Sequence, residues 1–414
     1  MANSLITSSF ITNETLRVLH NNSVYLDKIN TSYDEKFAKE GAKAGSTVNV
    51  RMPVQGTVRS GATASFQDVN ELVKPITIQP EFGIDWAFQD FDLTLTVDNF
   101  SKRYLEPFGK RLATELDARI AAAMYQTTSN FVGTPGTTPA TAAVILNAGV
   151  KMDNNACPSG DRYVVLNPIA QAGVVGGLST LFNSSKEISE QYKTGSMGTA
   201  LGFEFAMSQN IPPHTVGGLG GTPLVNGANQ GVTNSGATDN PSANTTSLVT
   251  DGWTAAAANR LKAGDIITIT GVNAVNPANK FDTGVQQQFV VTADVASDVA
   301  GNATIVISPA IIAGGAYKNV TARPADNAAI QIVTGSANTT YSQNMAFHKD
   351  AFTLVTVDMD LPGGMDMASR AQYGGVSLRF VRGFDITNNK RLCRFDILAG
   401  YAAMRPEHAC RITS

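Results

Sequence analysis

The 414-residue sequence is poor in charge, with 16% Asp, Glu, Lys and Arg, and poorer still in cysteine and histidine. Cys157, Cys393 and Cys410 lie far apart without CxxC spacing, which argues against a disulfide framework and a zinc site and fits a reducing cytoplasm. There is no run of Lys or Arg, and 31 basic against 34 acidic residues leave a net charge of −3, so no global field attracts nucleic acid. No stretch approaches the ~18 apolar residues of a membrane span. The opening MANSLITSSFITNETL lacks the cationic start and apolar core of a signal peptide, so neither export nor membrane insertion is expected. The largest gap is internal. Residues 213–340 contain about a dozen charged residues and no Glu, Cys or Met, and are filled with Gly, Ala, Asn, Thr, Val and Ile.

What is present belongs to a folded chain of two or three domains: 43% of residues are hydrophobic. Charge and the long helical patterns flank the depleted middle, so 213–340 reads as a β-rich module spliced into a mixed α/β host. Before it, residues 1–45 read as an arm. Thr12 is placed to cap a helix from Asn13 to His20 with Leu16 and Leu19 on one face. So short a helix needs a surface to lie on, and a neighbouring subunit is the expected one.

TVNVRMP at 47–53 and LVKPITI at 72–78 alternate as strands do, with Pro75 marking an edge. The small, polar segment between them makes a protruding hairpin, which is marginal alone and is expected to dock on another chain. Phe108, Leu112, Leu116, Ile120 and Met124 recur every fourth residue, predicting a long helix from Phe100 to Gln126, bent or restarted near Pro107 and Gly109. RYVVL at 162–166 is a buried-strand candidate, and Asn167-Pro168 should cap and open a helix. A second helix is expected at 178–182. Inside the insert, 216–245 reads as a mobile loop or extended connection, followed by strands at 265–270, 288–292, 304–308 and 329–333 that suggest a small sandwich or barrel.

Chemical motifs are weak. Gly217, Gly218, Gly220 and Gly221 lack the Lys-Ser/Thr of a phosphate loop and read as a flexible linker. Asp358, Asp360 and Asp366 depart from calcium-loop spacing and read as a solvated turn. His20, His214, His348 and His408 are scattered, with no metal pairing and no nucleophile elbow. No cofactor or metal is expected, and no enzyme.

Three segments carry a family resemblance: ETLRVLHNNSVYLDKIN…YDEKFAKEGAKAGSTVNVRMP, DNFSKRYLEPF and RLCRFDILAGYAAMRPEHACRI. They resemble tailed-phage major capsid proteins of the Hong Kong 97-like fold, in the coat-protein branch of short-tailed Salmonella-type phages, where a β-barrel domain interrupts the capsid fold. The match is best at Leu392, Cys393, Arg394, Arg405, Pro406 and Glu407, and good at Asn167-Pro168, Gly202-Phe203, Leu261, Gly264 and Asp265, none of them catalytic in the family.

The resemblance implies an α+β chain with an arm at 1–45, an extended hairpin loop at 46–80, and a peripheral domain at 81–142 with its spine helix at 98–127. An axial domain at 143–212 and an all-β barrel at 213–340 follow, and 341–414 completes the axial domain and returns to the peripheral one. It implies a homo-oligomer of capsomers closed into a virion shell around double-stranded DNA. A scaffolding protein and a portal assist, without a membrane, in the bacterial cytoplasm. Candidate subunit contacts are Arg51, Arg59, Phe66 and Lys74 on the hairpin and Leu16 and Leu19 on the arm. Members that cross-link join a Lys to an Asn. Lys74 is on the hairpin but no partner Asn is identifiable, so a non-covalent shell is expected. The alternative from composition is a secreted β-rich adhesin.

Overall fold

The computed structural model describes residues 8–31, 47–54, 56, 61–62, 73–89, 101–178, 198–231, 244–387 and 390–414. The chain is α+β and divides into two compact units, one built from 1–50, 75–121 and 352–404, the other from 51–74, 122–351 and 405–414.

The first unit is organised on a four-stranded antiparallel sheet in the order Met367–Tyr373, Val376–Asp385, Lys390–Ile397, Phe82–Gln89. Alternation puts Phe380 and Phe395 on one face, where Trp86 sits 4.9 Å from Phe395 and 4.8 Å from Phe108, ring centre to ring centre. Phe108 belongs to helix α2, Glu106–Thr127, which starts in this unit. The periodic stripe is its buried face: Leu112, Leu116 and Ile120 are all buried. A turn of π-helix, Ser101–Leu105, precedes it, and the α-helix restarts with Pro107 in its first turn, where the missing N–H costs nothing.

Helix α1, Ser8–Asn22, begins earlier than the Thr12 cap predicts. The Thr12 hydroxyl instead donates back to the Ser8 carbonyl at 2.9 Å and meets the Ser369 hydroxyl at 2.5 Å. A mid-helix threonine can bond the preceding turn, and that local bond replaced the cap.

Thr47–Arg51 and Val73–Thr77 pair as a two-stranded sheet. The second strand runs on into the body: Ile78 bridges Gly400, and the Gln79 amide donates to Ala399 O at 2.9 Å. Ala399–Ala403 pairs Phe352–Thr356, and Ile78, Val357, Met359 and Leu398 form a small apolar cluster beneath.

The second unit has a seven-stranded mixed sheet in the order Phe131–Val132, Ala409–Thr413, Thr340–His348, Arg162–Leu166, Phe203–Met207, Thr199–Ala200, with Pro213–Thr215 also on Thr340–His348. Helices α3, Ala142–Asn154, and α4, Pro168–Leu178, contribute to a core of Ile145, Met152, Val164, Leu166, Val174, Phe203 and Ile412. Asn167 Oδ1 accepts from the Ala170 amide at 2.6 Å, the cap read from Asn167-Pro168. Of the helix expected at 178–182 only Leu178, the last residue of α4, is described, and 179–182 lie outside the described residues.

Six more strands follow the order Ile330–Ile332, Ile266–Val275, Asp282–Val291, Ala303–Ser308, Thr246–Trp253, Gly221–Val225. The last strand meets the chain leading into the first: the Val225 amide donates to Ala328 O at 3.0 Å and the Asn327 amide to Val225 O at 2.9 Å. Their inward side chains, including Leu248, Trp253, Ile267, Phe289, Ile305 and Ile307, form a core of their own. Gly221–Val225 corrects the expectation of a loop or connection over 216–245, of which 232–243 lie outside the described residues. Gly221 and Gly252, both at positive φ, let these two backbones approach: a Cβ on Gly252 would stand 2.4 Å from Thr222 O.

Candidate functional site

The regions expected to act between subunits are the arm, the hairpin and the insert. On the arm, Leu16 and Leu19 are 1% and 0% exposed within the chain's own fold. The face offered to a neighbour is already covered, with α1 lying on Met367–Tyr373 and Val376–Asp385 of the same unit. These two leucines are therefore corrected from subunit contacts to internal packing: a short amphipathic helix needs an apolar surface, and the nearest one is in its own chain.

Beyond α1 the chain is held by Asp117, a 1%-exposed carboxylate on α2. Ser23 Oγ donates to its Oδ1 at 2.5 Å and the Val24 amide to its Oδ2 at 2.9 Å, while the Tyr25 amide adds a third hydrogen bond. Burial outweighs these donors and pushes the carboxyl up to about 6.

On the hairpin, Arg51 is exposed, Lys74 is half-buried, and Arg59 and Phe66 lie outside the described residues. Burial lowers the Lys74 ammonium below its ordinary value, partly offset by Glu407.

The insert's root is a buried polar junction that sequence reading missed. Arg411, on the last strand, is 0% exposed; its Nε donates to Thr128 O at 3.0 Å and its Nη1 to Gly264 O at 2.8 Å. Thr128 follows the C-terminus of α2, where carbonyls lack helical partners and a cation is favoured. Burial depresses the guanidinium to about 9. Close by, Asp265 Oδ1 pairs with His214 Nε2 at 2.8 Å, while its Oδ2 accepts from the amides of Lys262 and Gly217 at 2.8 and 3.1 Å. Gln288 completes the seam with two bonds to the Phe131 backbone, at 2.8 and 3.1 Å. The signals for this junction in the sequence were an Arg inside the apolar ending ACRIT and the positions Gly264 and Asp265 among those that carry the resemblance.

The glycine run is close packing, not a flexible linker: a Cβ on Gly217 would stand 2.3 Å from Arg260 O. Asp366 pairs with Arg382 and Arg391 at 2.7 and 2.9 Å, and Asp358 accepts from the Ser377 hydroxyl at 2.6 Å. Arg394, singled out by the resemblance, shares buried Asp396 with Arg379, each at 2.7 Å. Among the described residues no group of His, Cys, Asp and Glu could hold a metal ion.

A family model described as P22 coat protein, gene protein 5, matches residues 11–411. A major capsid protein of Acyrthosiphon pisum secondary endosymbiont phage 1 is 23% identical over 343 residues, covering 78% of this chain and 77% of its own length. Among solved structures, one from Mycobacterium phage Che8 aligns with 94% of this chain and 90% of its own, at 13% identity and a TM-score of 0.48. The CUS-3 coat protein I-domain aligns with 29% of this chain and 100% of its own, at 26% identity and a TM-score of 0.20.

Proposed function

The chain belongs to the P22 coat protein family and is a tailed-phage major capsid protein, and from that premise we propose how it builds its shell. Its role is structural and its place is the virion. Membership leaves the adhesin reading without support.

Copies associate as rings through an axial domain, 143–212 with part of 341–414, in the Hong Kong 97-like arrangement. The hairpin at 46–80 reaches the neighbouring copy, and the barrel at 213–340 rides on the axial sheet. The observation that carries this reading is the hairpin's construction. Its second strand is rooted by Ile78 in the Phe352–Thr356 and Ala399–Ala403 sheet, while among the described residues its own strands form a two-stranded sheet. A rooted two-stranded ribbon gains stability by lying on another surface.

The shell is non-covalent. Lys74 is half-buried in its own chain, near its own Glu407. It encloses double-stranded DNA without gripping it, consistent with a net charge of −3 and the lack of a basic run. Assembly takes place in the bacterial cytoplasm with a scaffolding protein and a portal.

Negative-stain electron microscopy with sedimentation velocity tests the core of this. The full-length protein should give shells, rings or curved sheets, and a variant lacking residues 55–70 should stay soluble and folded without closing shells. Normal shells from the deletion would remove the hairpin from the mechanism. On a denaturing gel, shells should run as a single monomer band; a ladder would establish cross-linking.

A further inference from the structure

We infer that the start of α2 is a face on which the shell touches duplex DNA: Lys102, Arg103, Lys110 and Arg111 contact the phosphates of the double helix without reading its sequence. This rests on the reading that the shell encloses double-stranded DNA. The sequence has no long run of Lys or Arg, but it has two basic pairs, Lys102-Arg103 and Lys110-Arg111, eight residues apart. The π-helical turn Ser101–Leu105 and the first turns of α2 carry them on one helical path, and all four side chains are exposed.

Arg17 of α1, 58% exposed, adds to the patch, since its partner Glu14 also accepts from the Ser101 hydroxyl at 3.4 Å. Glu14 pairs with Arg17 at 2.7 Å and Glu106 with Lys110 at 3.9 Å. Five cations against these two carboxylates leave a local charge of +3, on a chain whose net charge is −3. Glu115, one turn further on, is engaged by Arg119 at 2.8 Å.

Helix stability does not account for the placement. Lys102 and Arg103 immediately precede α2, where the positive end of the helix dipole disfavours cations. A duplex offers the complementary surface, with one phosphate charge per ~1.7 Å of its axis. At about 1.5 Å per residue the two basic pairs stand about 12 Å apart, close to the width of the major groove, so each pair meets phosphates on a different wall. An acidic peptide strand presents no such pair of walls. Phosphate contacts of this kind position a duplex and carry no sequence information. Four of them per copy make a weak, salt-sensitive attachment, in keeping with DNA that is enclosed without being gripped.

Fluorescence anisotropy of a short, mixed-sequence DNA duplex titrated with unassembled full-length protein, repeated over a range of salt, reads the contact. For the wild type, log affinity against log salt should fall with a slope of about −3 to −4, and Arg103→Gln combined with Arg111→Gln should reduce its magnitude by about two. Lys390→Gln, an exposed cation on the four-stranded sheet, should leave the slope unchanged. Urea midpoints should not move in these variants, so a lost contact is not a lost fold. If the double variant does not fold, Lys102→Gln combined with Lys110→Gln carries the same expectation. No binding of the duplex by the wild type at low salt, or an unmoved slope in the double variant, would overturn the assignment. Binding of polyglutamate in place of the duplex would also overturn it, giving the face to an acidic protein. DNA recovered from nuclease-treated particles tests enclosure separately: protected DNA together with an unmoved slope removes this face alone, whereas particles that protect no DNA remove the enclosure and this contact with it.

Discussion

Nη1 of Arg411 donates to the carbonyl oxygen of Gly264 across 2.8 Å, joining two positions 147 residues apart in the chain. The same guanidinium holds Thr128 O, so the end of α2, the turn at Gly264 and the last strand share one buried cation. Asp265, with 0% exposure, is the nearby compensating charge. A buried cation of this kind tolerates loss of neither its partners nor itself.

Arg411→Met should accordingly destabilise the second unit by about 3 kcal/mol, because two buried carbonyls and Asp265 lose their compensation. Arg411→Lys should recover only part, since an ammonium cannot reproduce the planar fork. Urea unfolding of unassembled protein measures both, and a wild-type midpoint for Arg411→Met would show that the bridge is dispensable.

Leu16→Ala and Leu19→Ala should each cost about 2–5 kcal/mol in the unassembled chain, the range for truncating a fully buried leucine. Leucines that only contacted neighbouring subunits would leave monomer stability unchanged and alter assembly alone. Chemical denaturation below the assembly concentration separates the two.

Two glycines in helices should respond with opposite signs. Alanine normally gains about 1 kcal/mol over glycine in a helix. At Gly109 on α2, however, the new Cβ would meet Val18 Cγ1 at 2.9 Å and Thr15 O at 3.2 Å, so Gly109→Ala should lower the melting temperature and speed proteolysis of α1. At Gly176 on α4 nothing lies within 4 Å of that position, and Gly176→Ala should raise it.

Acid should weaken the second unit through His408. Burial lowers this imidazole below its ordinary 6.5, with Arg405 and His348 adding to the effect and Glu407 and Asp350 opposing it. The folded state therefore favours the neutral ring: its contribution is whole above 6.5 and is lost as pH falls from there toward the folded value. Urea midpoints from pH 8 to 5 should decline less in His408→Gln than in the wild type.

Local patterning made much of this legible. The fourfold spacing from Leu112 to Ile120 named the buried face of α2, Asn167-Pro168 marked the start of α4, and alternation located the hairpin strands and four strands of the insert, but not Thr246–Trp253, Ala258–Leu261 or Val295–Ser297. Gly221–Val225 escaped because glycines and Pro223 disguise a strand whose partner, Thr246–Trp253, is remote in sequence. Thr12 was misread as a cap because its hydroxyl had two possible local partners, and only Ser369 across the fold decided between them.

By itself the sequence determined the kinds of element, their order, the faces they must bury and, through ordered motifs from residue 11 to 411, the family. Tertiary structure alone decided what covers each face and where the buried charges sit. That α1 lies on its own sheet, that Asp117 receives the arm, and that Arg411 ties Gly264 to Thr128 could not be read along the chain. Periodicity records that a side chain is hidden from water. It carries no record of the distant surface that hides it, because burial energy depends on area removed from water and not on which residues remove it.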